Sequence, residues 1–514
     1  MPRTLLVGAG VLDPGADPSP APGAVEVDGA VVTWVGGAAE ARERPGRVLD
    51  LTGATITPAF VDAHVHATAT GLLVDGLDLT GCPSPRALLD AVAARVAARP
   101  GALVWGHGWQ ELGWPGPAPD RAALDRAAAG APVYLSRIDV HSALVSSALL
   151  DRAPAAVGAR GFADAALSTQ AHHHVRRAAL AAVDEATRGA AQRAFLADAA
   201  ARGVGVVHEC AGPDISSVAD LAALLALSAE LGTRVVGYWG QPVRTATEAR
   251  DLLAATGAHG LAGDLFADGS LGSRTAALRA PYRDEPTHCG HRYLEPDAIA
   301  AHVAACTGIG VQAGFHVIGD AAADAVLAGL TEAARRTGTA RPHPPHRLEH
   351  LEMLDPAQAV QLAALGVVAS VQPLFDAFWG GPAGMYAERL GAGRAAGMNP
   401  YARLRDAGVV LALGSDAPVT PVGPWAAVRA AVEHRTPGSG LTAAQALAAH
   451  TVGGHRAAGD RSPLAGRLVA GAAASYTVWD GTAPLDGASG APRCLRTVQD
   501  GRTLHDTLDE RPGG

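Results

Sequence analysis

The chain has 514 residues, 48% of them hydrophobic, enough for a large buried core and for one barrel of roughly 250 residues plus a second domain. Its formal net charge is -9, and all 41 of its Lys+Arg cations are arginines, because no lysine occurs anywhere. Those arginines are scattered rather than gathered into a basic stripe, and the longest apolar stretches, such as Leu221 to Ala229, fall short of the roughly 20 residues of a membrane span. Neither nucleic-acid binding nor membrane insertion is expected.

Met1 to Gly10 reads as an apolar strand with Gly-rich turn residues and lacks a signal peptide's apolar core and small-residue cleavage site, so the expected location is the cytoplasm. Short β-rich runs follow one another at Leu5 to Val11, Val25 to Val27 and Val31 to Val35, the last two separated by Asp28-Gly29, a strong hairpin signal. The tail repeats this pattern with Ser475 to Trp479, Cys494 to Val498, Asp500-Gly501 and Thr503-Leu504. Neither end can hold a sheet core alone. The two are expected to combine into one small β-sandwich, residues 1–55 supplying one part and residues 436–514 the last barrel helix and the other part. Five widely spaced cysteines, Cys82, Cys210, Cys289, Cys306 and Cys494, contain no CxxC pair and read as free thiols.

Across residues 56–435, short β-branched runs alternate with Ala/Leu-rich helical stretches, the pattern of an α/β fold with parallel strands and crossover helices. Strands are expected near residues 56–63, 204–209, 234–239, 263–267, 310–316, 346–350, 366–372 and 408–415, the eight of a TIM-like (β/α)8 barrel. About 135 residues separate the first two, far too many for a βα loop. An inserted subdomain is therefore expected, spanning about residues 70–200.

The apolar run from Pro58 ends in His64 and His66. Side chains alternate along a strand, so both histidines point the same way, into the barrel mouth where such enzymes keep their active sites. The spacing suits two ligands of one ion. Alone it is weak evidence, because His172 and His174 repeat it in a polar, helix-like part of the insertion, where a solvated or lid role is expected. Three later runs decide in favour of His64 and His66: Gly310 to His316, His346 to His350 and Val409 to Asp416 each end in a side chain able to bind metal. Imidazole nitrogen plus carboxylate suits zinc, and a catalytic site keeps one position open for water.

The order His64-x-His66, His316, His350, Asp416, with the phrases DGSLGSRTAAL (268–278), FHVIGDAA (315–322), RLEH (347–350), SVQP (370–373) and GSDAPV (414–419), resembles the amidohydrolase superfamily. The nearest branch is that of N-substituted formamide deformylases, amidohydrolase family 3, and the likeness covers nearly the whole chain. It implies that His64, His66, His316 and Asp416 bind a divalent metal and that Asp416 also shuttles protons. His350 is implied as a second-metal ligand or a hydrogen-bond partner of the substrate. The chemistry agrees: a metal lowers the pKa of bound water to about 7, and an adjacent carboxylate can pass its proton to a leaving amine.

One position departs from the family pattern. The fourth strand usually carries a lysine, carbamylated to bridge two metals, in a phrase like KLFADG; here the phrase is DLFADG, beginning at Asp264, and a lysine-free chain cannot form the carbamate. Asp264 is several bonds shorter, so it is expected not to reach an ion held by His64 and His66. Glu209, closing the run from Val204, is the candidate bridging acid, with an ion-paired rim residue as its other reading. One zinc ion is the expected cofactor, and a second only if Glu209 bridges.

Around the rim, Asp268 and Arg274 are candidates for substrate binding and Asp320 for orienting His316, each with a loop-stabilising ion pair as the alternative. Gly106 to Trp109 and Arg137 to His141 resemble segments that line the family's substrate cavity, which makes Trp109 and His141 further candidates; Trp109 could equally be core. The insertion supplies Trp105, Trp109 and Trp114 but few cationic clamps. The expected activity is therefore hydrolysis of a non-peptide, amide-type C–N bond in a small, largely apolar molecule. A deaminase of an aminated heterocycle, or a non-catalytic metal-binding regulatory barrel, stays as an alternative, the latter disfavoured by the presence of Asp416. Substrate identity is not encoded in any motif, and a homo-oligomer stays open.

Overall fold

The computed structural model describes residues 3–15, 23–481 and 491–508. The first two residues of the expected N-terminal strand and the stretches 16–22, 482–490 and 509–514 of the two terminal parts lie outside the described residues. Strands from both ends of the chain share one eight-stranded sheet. Its order runs Arg502–Asp506, Cys494–Gln499, Tyr476–Trp479, Thr55–Pro58, Thr4–Val11, Gly23–Asp28, Val31–Gly37, and Arg47–Asp50 pairs beside Thr4–Val11. The Asp28-Gly29 turn places Gly29 at a φ of 59°, the left-handed conformation a tight hairpin needs. Leu6, Val25 and Ile56 from one end pack with Tyr476, Leu495 and Val498 from the other in a common apolar core.

Between these ends, Phe60–Val65, Val204–Ala211 and Arg234–Trp239 form one parallel ladder, and Gly314–Val317, Arg347–His350, Val368–Val371 and Val410–Leu413 form another. Isolated parallel bridges join the two on both sides: Val65 to Ala417 on one, and Tyr238 to Gly260, Leu261 to Ala313 and Phe266 to His316 on the other. Parallel pairing thus runs round a complete circuit. Helices flank it, several started by side-chain caps at Ser217, Thr245 and Asp355 and stopped by left-handed glycines at Gly232, Gly257 and Gly338.

Two expected strands are corrected. The run 56–63 is split: Thr55–Pro58 pairs with Tyr476–Trp479 in the terminal sheet, and Phe60–Val65 enters the circuit. Pro58 lacks an amide hydrogen, which suits it to the end of the first ladder. The stretch 263–267 forms no strand and joins its neighbours only through bridges. Its approach, Gly260 to Asp264, has two glycines and no β-branched residue, and Gly263 sits at a φ of 74°. The strands Gly314–Val317, Val368–Val371 and Val410–Leu413 are also shorter than expected.

Residues 66–203 separate the first two circuit strands and carry a sheet of their own, in the order Leu167–Ser168, Ser142–Val145, Val133–Arg137, Val104–Trp109, Leu77–Asp78. Among the described residues no helix is long and apolar enough to cross a membrane. The five cysteines are free, Cys210, Cys306 and Cys494 being buried.

The short helix Ala67–Gly71, directly after His66, meets helix Glu185–Ala201 backbone to backbone: a Cβ on Gly71 would lie 1.9 Å from the Ala191 carbonyl oxygen. Gly71→Ala is therefore expected to cost about 1–3 kcal/mol through overpacking, read as a lower urea midpoint with an unchanged slope. An unshifted midpoint would show that this contact tolerates a methyl group.

Candidate metal centre

The first and last circuit strands are laced together where their histidines and aspartate emerge. Asp416 N donates to the His64 carbonyl at 2.8 Å and His66 N to the Ala417 carbonyl at 2.9 Å. The approach is so close that a Cβ on Gly414 would lie 2.7 Å from His64 N. His350 and Asp416 both hold left-handed backbones, with φ of 72° and 55°. Non-glycine residues in that region carry roughly 1–3 kcal/mol of strain each, and such strain concentrates where a side chain must be aimed.

Five buried side chains converge. His66 Nε2 lies 3.2 Å from Asp264 Oδ2 and 3.1 Å from Asp416 Oδ1. His64 Nε2 lies 3.4 Å from Asp264 Oδ1 and 3.5 Å from Asp416 Oδ1, and His350 Nε2 is 3.8 Å from Asp264 Oδ1. Yet His64 Nε2, His350 Nε2, Asp264 Oδ1 and Asp416 Oδ1 complete no hydrogen bond. Buried polar atoms left without partners are expensive, and four of them pointing at one another mark a place for a cation. Three groups among the described residues bring their ligand atoms within 4.8 Å of one another: two, His64/His66/Asp264 and His64/His350/Asp416, are donor sets of this cluster, and the third joins His64 to Cys210 and Glu349.

The far sides of the His64 and His350 rings are fixed. His64 Nδ1 bonds Glu349 Oε2 at 2.9 Å, and Glu349 is gripped by the Arg347 guanidinium at 2.6 and 2.8 Å. His350 Nδ1 bonds Gln372 Oε1 at 2.8 Å. Neutral imidazoles that donate through Nδ1 present a lone pair at Nε2, the form a metal ligand needs. Burial opposes ionisation of Asp264 and Asp416, but electrostatic attraction by His64 and the other histidines around them holds both below their ordinary range. Burial likewise pulls His66 down, while its close contacts with the two aspartates prevail and raise it to about 9. The pair of carboxylates thus makes a site that holds positive charge.

Asp264 corrects the expectation drawn from its length. The irregular backbone there runs inward: a Cβ on Gly263 would touch Cys210 at 3.0 Å, and one on Gly240 would be 2.7 Å from the Asp264 backbone. The main chain supplies the reach that the short side chain lacks. Glu209 is corrected too. It stands in neither donor set, and its Oε2 accepts the amide of Ala67 at 2.8 Å, at the start of helix Ala67–Gly71. His316 is near but outside both sets, its ring 4.5 Å from that of His350 and 5.1 Å from that of Phe266.

The partner of His316 is Asp268, with Nδ1 and Oδ1 3.6 Å apart, and not Asp320, which accepts the amides of Arg279 and Ala321. Asp268 is completely buried and takes three backbone amides, from Ala277, Ile318 and Gly319, so it anchors a loop instead of meeting substrate. Arg274 is committed to Asp284 and Glu285. Trp109 belongs to the core of the insertion, its indole donating to the Leu135 carbonyl at 2.9 Å and stacked on Trp114.

His141 lines a cavity beside His350 and Asp416, 5.0 Å from His316 between ring centres. In helix Thr169–Ala181, His172 is buried against the Tyr134 hydroxyl rather than solvated, and His173 forms a cavity wall beside His66, Asp264, His316 and Asp416. His107, lowered to about 4 by burial, bonds the Pro418 carbonyl at 2.9 Å and ties the insertion to the Asp416 loop. Glu349 and Gln372 fall within the RLEH and SVQP phrases, so a signal for both was present in the sequence, without a role attached.

Residues 47–505 match the amidohydrolase family Amidohydro_3. The chain belongs to that family. N-substituted formamide deformylase of Arthrobacter pascens is 26% identical over 93% of this chain and 94% of its own length. Protein LONG AFTER FAR-RED 3 of Arabidopsis thaliana is 28% identical over 84% of this chain and 80% of its own. Among solved structures, an uncharacterised metal-dependent hydrolase of Pyrococcus horikoshii OT3 superposes with a TM-score of 0.73 at 23% identity, covering 98% of this chain and all of its own, a likeness of fold.

If Glu349 holds the His64 ring, Glu349→Gln should weaken retention of a divalent ion about 10- to 100-fold, the usual effect of losing such a partner. Competition with a chelator measures it. Retention equal to that of the unmodified chain would show that the Glu349 bond does not orient His64.

Proposed function

We propose that this amidohydrolase-family chain is a metal-dependent hydrolase that cleaves a non-peptide, amide-type C–N bond of a small molecule, and that its circuit of parallel strands is a TIM-like (β/α)8 barrel. The observation that carries this reading is the set of unpartnered ligand atoms, His64 Nε2, His350 Nε2, Asp264 Oδ1 and Asp416 Oδ1, beside a cavity whose apolar walls are Leu271, Ile318, Phe375, Trp379, Met385 and Val419. The apolar walls come from these residues and not from the tryptophans of the insertion.

His64, His66, Asp264 and Asp416 would hold the ion, and imidazole plus carboxylate favours zinc. When bound, such an ion supplies Lewis acidity to water and to a substrate carbonyl. Asp416, lining the cavity with Oδ1 3.1 Å from His66 Nε2, is placed to take a proton from the attacking water and to deliver it to the departing amine. His350 shows its Nε2 lone pair because Nδ1 is committed to Gln372, which suits a ligand better than a donor to a carbonyl. His141 and His173 close the cavity from the insertion side, and its apolar lining limits access of bulk water. One ion is the reading supported by His316 standing outside both donor sets.

Two outcomes test this. Replacing His64 and His66 together with alanine should abolish bound metal and turnover of N-acyl, N-formyl and lactam substrates; unchanged metal content by elemental analysis would sink the assignment. Asp264→Asn should lower metal affinity at least about tenfold, since it removes one charged ligand oxygen from a buried set. Amine release from amides, against ammonia release from aminated rings, separates amide hydrolysis from deamination.

A further inference from the structure

The cavity contains a carboxylate that the proposed reaction does not use. Glu352, two residues past His350, lines it with Phe375, Trp379, Met385 and Tyr386. It is 4% exposed, Oε2 has no hydrogen-bond partner, and it stands in neither donor set of the metal centre. The Tyr386 hydroxyl lies beside it and supplies no charge. Asn399 N donates to the Glu352 carbonyl at 2.9 Å and Met353 N to the Ile318 carbonyl at 3.2 Å, so the backbone carrying this carboxylate is held on both sides.

A buried carboxylate without a cation is costly, and a ligand that brings positive charge or N–H donors relieves that cost. The rest of the lining agrees. Its acids are Asp139, Glu352 and Asp416, and among the described residues no arginine faces the cavity. Asp139 is already satisfied by Arg137, Ser270 and Ser273, which leaves Glu352 as the acid free to meet a ligand. Phe375 and Trp379, 5.0 Å apart between ring centres, add aromatic faces of the kind that attract organic cations. An anionic group entering here would meet the like charge of Glu352.

We propose that Glu352, with the Tyr386 hydroxyl and the faces of Phe375 and Trp379, forms a subsite for a protonated amine, so that the preferred amides carry an ammonium group away from the scissile bond. Calling that molecule a substrate rests on the hydrolase reading; the ammonium site itself does not.

The test is calorimetric titration of the metal-loaded, full-length protein with benzylamine and with benzyl alcohol, matched in size and differing in charge. Benzylamine should bind at least about tenfold more tightly, and Glu352→Gln and, separately, Tyr386→Phe should each erode that preference. Equal affinity of the two probes for the unmodified protein, or a preference untouched by either substitution, overturns the subsite. In turnover, amides ending in an amine should exceed methyl-ended counterparts by about 100-fold in kcat/KM, with the ratio collapsing in Glu352→Gln. Benzylamine binding without cleavage of any amide defeats the hydrolase reading and leaves the subsite standing; cleavage without preference for amines does the reverse.

Discussion

Asp264 and Asp416 approach the same nitrogen of His66 from two sides, at 3.2 and 3.1 Å, inside a site from which water is largely excluded. Two carboxylates that close repel each other unless positive charge lies between them. Much of the surrounding structure serves to keep them there. The main-chain bonds between the His64 and Asp416 segments, the glycine at position 414 and the left-handed backbones of His350 and Asp416 all hold donor atoms where relaxation would move them apart. Behind them, the Arg347–Glu349 pair turns His64, and Gln372 turns His350.

The insertion takes part in this arrangement as a wall. His107 bonds the carbonyl two residues beyond Asp416, Asp139 bonds Ser270 and Ser273 of the loop after Asp264, and His173 leans on Phe266 with ring centres 5.5 Å apart. The residues that shape the cavity therefore come from three sources: the circuit strands, the insertion, and the segments around Phe375 and Tyr386. A subdomain docked by helix Ala67–Gly71, directly after the two histidines, couples its own packing to the placement of His66.

Replacing a long side chain by a short one at position 264 need not empty the site. A carboxylate on two bonds reaches the histidines because Gly263 and Gly240 let the main chain press inward. The irregularity that prevents 260–266 from forming a strand is thus the same feature that delivers Asp264. Reach in a protein is the sum of side-chain length and backbone path, and only the first can be counted from residue type.

Sequence alone determined that His64 and His66 share a face, because strand side chains alternate with a period of two and the run Phe60–Val65 is apolar enough to be a strand. It also pointed, through ordered phrases, to the family. What it could not determine was the partner of each buried polar group. Asp268 looked like a rim acid, yet it is satisfied by amides 9, 50 and 51 residues away, while Glu209 is claimed by Ala67 and Trp109 by Leu135. Glu352 carried no motif at all and became visible only as a buried acid with an unpartnered oxygen in the cavity wall. Local pattern fixes which face a side chain takes. Which distant group meets it there depends on how the turns, glycines and docked insertion bring separate segments together, and that is decided by tertiary structure alone.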